Sequence, residues 1–95
     1  MGGTAIYQRA RLAGKRLRRL REKLGLTLRE VAFASGQVAA RRRNPAFKIV
    51  ASRLHEIEVR GATPSIYRLY CLACIYQHDL RKILRWYGVE LDRRP

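Results

Sequence analysis

Acidic residues are scarce in this chain. Its 95 residues hold 7 Asp and Glu against 21 Lys and Arg, a formal net charge of +14 with both histidines neutral. This excludes a self-balanced surface and leaves three uses for the field: phosphate polyanions, an anionic membrane surface, or plain solvation. Cysteine is equally sparse. Cys71 and Cys74 are the only two, and they sit three apart inside a helical pattern, which is no secreted disulfide framework and predicts reduced thiols. No stretch approaches the roughly 20 apolar residues of a membrane span, and the N-terminus lacks the apolar run of a signal peptide, so the expected location is cytoplasmic with no membrane partner. Glycines fall as punctuation between periodic segments and form no phosphate-binding fingerprint. No nucleophile and base stand in a catalytic pattern, so neither an enzyme nor a cofactor is expected.

What is present is arginine embedded in helical periodicity, and that arrangement favours nucleic acid over a disordered polycation. The charge is uneven: Met1 to Arg43 holds 12 basic and 2 acidic residues, Asn44 to Pro95 holds 9 and 5. A chain of this length fits one domain with a modest core. Residues 1–13 read as a basic arm, flexible or forming an extra helical turn, residues 14–88 as the folded domain, and residues 89–95 as a short tail. From Gly14 to Leu24, leucines 17, 20 and 24 recur at offsets of three and four, predicting a first helix stopped by Gly25 in a left-handed turn. Thr27 and Glu30 have the spacing of a capping box and open a second helix that buries Leu28, Val31 and Ala32 and runs to about Ala40. Asn44-Pro45 interrupts the pattern and predicts a basic loop around residues 42–48. A third helix over 50–59 carries Leu54 and Ile57 inward. Thr63-Pro64-Ser65 starts a fourth with Ile66, Leu69, Leu72, Ala73 and Tyr76, and Asp79 caps a fifth with Leu80, Ile83 and Leu84. The fold class is all-α with five helices, its core including Leu17, Leu20, Leu24, Val31, Leu54, Ile57, Ile66, Leu69, Ala73 and Leu84.

With the helices in this order, the run Arg18 to Ala32, then Ser52-Arg53-Leu54-His55-Glu56-Ile57-Glu58, then Thr63-Pro64-Ser65 with its apolar helix, resembles the helix-turn-helix domain of phage repressors and xenobiotic-response-element-like regulators. The resemblance implies duplex DNA as partner and a role in transcription regulation, with Leu28 to about Ala40 as the supporting helix and Val50 to Val59 as the recognition helix. It makes Ala51, Ser52, Arg53 and Glu56 the base-reading candidates, with Arg53 serving either a phosphate or a base. It assigns phosphate contacts to Arg29, to Arg41, Arg42 and Arg43 in the loop, and to Lys48. It also implies a partly buried salt bridge between Arg21 and Glu58. Three departures stand beside it. Leu28 replaces a frequent glutamine, Val59 replaces a frequent asparagine, and Gln37 to Lys48 looks like about a dozen residues added between supporting and recognition helices. An extension that covered the recognition helix would defeat DNA binding.

The alternative is a protein-interaction or antitoxin-like module on the same fold, with a protein partner. A homodimer is expected where two recognition helices must share a site, through Tyr76, Trp86, Tyr87 and Val89; the same aromatics serve equally to seal a monomer core. Cys71, Cys74 and His78 converge on one helical face, but a structural zinc needs a fourth ligand, and helix packing is the expected use.

Overall fold

The computed structural model describes the backbone of residues 2–91 and the side chains of residues 5–91. Met1 of the arm and residues 92–95 of the tail lie outside the described residues. The described residues form five α-helices, no strand, and one 3-10 turn: α1 (Gly2–Lys23), α2 (Leu28–Arg42), the turn Pro45–Phe47, α3 (Ala51–Val59), α4 (Ile66–Tyr76) and α5 (Leu80–Trp86). One core takes a contribution from each helix, with Leu17, Val31, Leu54, Ile57, Leu72 and Ile83 all fully buried, joined by Ile49 from the connection before α3.

Local chemistry explains most helix ends. The Gly25 amide bonds to the Glu22 carbonyl and the Leu26 amide to that of Arg21, with Gly25 at φ 71°, so α1 closes in a Schellman motif. The Thr27 hydroxyl accepts from the Glu30 amide at 3.1 Å while the Glu30 carboxylate accepts from the Thr27 amide at 2.8 Å, completing the capping box of α2. Asp79 accepts from the Arg81 amide at the start of α5.

Of the two forms expected of the arm, residues 2–13 take the helical one: α1 begins at Gly2, although Ala5 to Arg9 are exposed and Ala10 is the first buried side chain among those described. Three expectations need correction. Leu24 and Ile66 are exposed, at 51% and 56%; each stands at the edge of its helix, one in the closing turn of α1 and the other in the first position of α4. The cap of α4 is Ser65, whose hydroxyl accepts from the Arg68 amide, and Thr63 lies two residues before the cap. Finally, α2 runs through Arg42, so Arg41 and Arg42 are helical and the loop begins at Arg43.

The aromatic residues expected to pair protomers are largely spent inside one. Tyr76 is buried, Trp86 and Tyr87 are half-buried against the core, and Val89 alone is well exposed. Burial pushes the Tyr76 and Tyr87 phenols well above their ordinary range, and among the described residues neither hydroxyl has a hydrogen-bond partner. A buried unpaired hydroxyl costs about 1–3 kcal/mol. Tyr87→Phe is therefore expected to raise thermal stability by about 1 kcal/mol, read as an increase in melting temperature; a decrease would show that the hydroxyl does have a partner.

Candidate nucleic-acid interface

Helix α3 has two sharply different sides. Leu54, Ile57 and Glu58 are buried, whereas Ser52, His55 and Val59 are exposed and Glu56 is half-buried. Positions 52, 55, 56 and 59 follow helical spacing, so they form one outward stripe nine residues of helix can present without interruption. Val50 precedes the helix in an extended conformation and supplies no side-chain cap.

The long connection from α2 packs away from that stripe. Arg43 closes α2 in the left-handed region at φ 53°, and the Asn44 side chain then accepts from the Ala46 amide to start the 3-10 turn. Phe47 packs edge-on to Tyr67 and Tyr70 of α4, with ring centroids 5.4 and 5.7 Å away. Ile49 is fully buried, and its amide donates to the Ser35 hydroxyl at 2.8 Å. That hydroxyl in turn donates to the Ala32 carbonyl at 2.7 Å within α2, so the bond from Ile49 is a buried tie between α2 and the residues entering α3. A buried serine with partners on both sides holds backbone position without leaving a polar group unpaired.

The predicted residues divide into groups. Ser52 and Glu56 stand on the outward stripe, and Ala51 lies beside it, half-buried in the first turn. Arg53 is half-buried and paired with Glu56 at 3.3 Å, which offsets part of the repulsion a lone carboxylate would present to phosphate. Arg29, in the first turn of α2, and Lys48, two residues before Val50, are both exposed.

The three consecutive arginines are not one contact. Arg42 donates to the Tyr70 hydroxyl and lies 4.9 Å from the Tyr70 ring and 6.0 Å from that of Phe47, a cation–π arrangement that commits its guanidinium to α4. Arg41 lines a depression with Val38 and Cys74 on that same side. Arg43 is exposed at the helix end.

Arg21 and Glu58 do meet. Arg21 Nε and Nη2 donate to the two Glu58 carboxylate oxygens at 2.8 and 2.9 Å, and Nη1 donates to the Leu26 carbonyl at 2.8 Å. Hydrogen bonding to Glu58 raises the Arg21 guanidinium above its ordinary value, against the opposing effect of burial. One guanidinium thus joins α1, the turn before α2, and the far end of α3. Cys71 and Cys74 diverge. Cys71 is buried, its thiol pushed up to about 11 by desolvation, and Cys74 is exposed.

No family model, curated protein or solved structure matches the chain. Sequence reasoning missed His55, which stands in the middle of the outward stripe; the i, i+3 spacing from Ser52 was the available sign. It also missed Phe33 and Val50, exposed at 71% and 51%, which flank a shallow apolar groove that reaches Ala51 at the start of α3.

Proposed function

We propose that the chain is a helix-turn-helix domain that binds duplex DNA sequence-specifically and acts as a cytoplasmic transcription regulator, with the outward stripe of α3 in the major groove. The observation that carries this reading is the path of the added connection. It is tied to α2 and α4 through Ser35 and Phe47, and it leaves Ser52, His55 and Val59 uncovered. Ser52 and His55 then read base edges, Glu56 accepts from a cytosine amine, and Arg29 and Lys48 hold phosphates while the bases are compared. Arg42 keeps its charge, because Tyr70 is neutral and the arginine is exposed, but its guanidinium is drawn toward α4.

Selection of preferred duplexes from a random library, followed by fluorescence anisotropy across a salt series, tests the proposal. Arg29→Ala with Lys48→Ala should weaken every duplex alike and reduce the salt slope by about one unit per lost contact. Ser52→Ala with His55→Ala should instead keep the slope and lose about 1–3 kcal/mol of discrimination per base read. Unchanged slope in the first variant together with unchanged preference in the second would overturn the reading. A protein-interaction role has one specific observation in its favour, the exposed Phe33 and Val50 beside the start of α3. It is separated by the same library, since an interaction module shows no preferred duplex.

A further inference from the structure

Half of the net positive charge lies on a helix that the α3 stripe does not use. Helix α1 carries eight Arg and Lys and a single acid, Glu22. Arg21 is consumed by Glu58, and Arg18 pairs with Glu22 at 3.1 Å. Among the described residues no carboxylate pairs with Lys15, Arg19 or Lys23. These three recur every four residues on the side of α1 opposite Ala10, Ala13, Gly14 and Leu17, which face the core. They span about 12 Å of helix, a length over which a duplex presents roughly seven phosphates.

The two faces point away from each other. A Cβ placed on Gly14 would lie 2.2 Å from the Ile57 carbonyl oxygen and 3.1 Å from the Glu58 Cα, so α1 meets α3 on its buried side, behind the outward stripe. Lys15, Arg19 and Lys23 in turn look away from α3. Resting on the reading of α3 as the face for a first duplex, we infer that the outer face of α1 binds the phosphate backbone of a second duplex, so that one molecule bridges two. A membrane surface fits this face poorly. Every exposed residue from Lys15 to Lys23 is charged, whereas an interfacial helix needs an apolar stripe to insert; the exposed apolar residues of α1, Ile6, Tyr7 and Leu12, all lie before Lys15.

The test uses the full chain with one duplex on beads and a second, labelled duplex free in solution, and single-duplex affinity measured on the same samples. The native chain should capture the labelled duplex. Lys15→Glu with Arg19→Glu should lower capture at least ten-fold while single-duplex affinity changes less than three-fold and the melting temperature holds. Arg81→Glu with Lys82→Glu, the same charge change on exposed positions of α5, should leave capture within two-fold. Equal loss in both variants would reduce the effect to overall charge and overturn the inference, as would capture that survives the α1 change. Loss of binding to phosphatidylserine vesicles by the α1 variant, with capture intact, would assign the face to membranes and overturn it too. A chain that binds single duplexes and never bridges defeats the inference alone; one that binds no duplex defeats the reading of α3 with it.

Discussion

Replacing Gly14 by alanine should destabilise the protein by at least about 2 kcal/mol, although the same change at Gly36 should stabilise it. In an isolated helix alanine is preferred to glycine by about 1 kcal/mol. Gly36, inside α2, has nothing within 4 Å of where a Cβ would stand, so Gly36→Ala should realise most of that gain. At Gly14 the new Cβ would sit 2.2 Å from the Ile57 carbonyl oxygen and 3.0 Å from that of Glu58. Both obstacles are backbone, so no side-chain rotation relieves them and the two helices must separate. Overpacking of this kind costs about 1–3 kcal/mol when side chains can yield, and more when they cannot. With about 4–8 °C per kcal/mol for a domain of this size, Gly14→Ala should lower the melting temperature by roughly 8 °C or more. Gly36→Ala should raise it by a few degrees. Thermal unfolding of the two single variants checks the signs, and a stabilising effect at Gly14 would mean that α1 and α3 do not approach this closely.

Gly14 also marks the limit of what the sequence discloses. Its low helix propensity reads as the start of a helix, while in the fold it lies within α1 at the point of closest approach to α3. A close contact between segments more than forty residues apart leaves no local trace. The capping box at Thr27 and Glu30, the turn at Gly25 and the cap at Asp79 are legible because each is a contact within a few residues. Leu24 and Ile66 fit their helical periods and still end exposed, since period identifies a face and says nothing about whether a neighbour reaches that end of it. The arginine run at 41–43 shows the same limit for charge. The resemblance makes it a phosphate site, and only the structure places Arg42 against Tyr70 and Phe47. On α3, the resemblance carried Ser52 and Glu56 to the outward stripe but passed over His55, whose meaning depends on which side of the helix the core occupies.

Glu58→Leu should cost about 3–5 kcal/mol, the largest single loss expected, because it strands a charge that the fold has removed from water. The Arg21 side chain is only 11% exposed and that of Glu58 1%. Each charge is tolerated there through the other, in a two-pronged pair at 2.8 and 2.9 Å. Arg21→Met should be similarly damaging, leaving the carboxylate unpaired and also removing the donor to the Leu26 carbonyl. The double variant is the informative one. With both charges replaced by apolar side chains of comparable size, no ion remains to be desolvated, and such exchanges are often neutral or stabilising. The remaining deficit is the unfilled Leu26 carbonyl, a loss of about 1 kcal/mol. The double variant should thus recover most of the stability lost in either single one, which implies a coupling energy of about 5 kcal/mol or more, above the usual 0.5–3 kcal/mol range. Denaturant unfolding of all four proteins gives that coupling directly. Additive losses would show that Arg21 and Glu58 act independently, and the account of one guanidinium fixing α3 against α1 would fall. If coupling is strong and the double variant is stable yet binds duplexes less selectively, the buried pair serves to orient α3, and its geometry matters to recognition more than its energy does to folding.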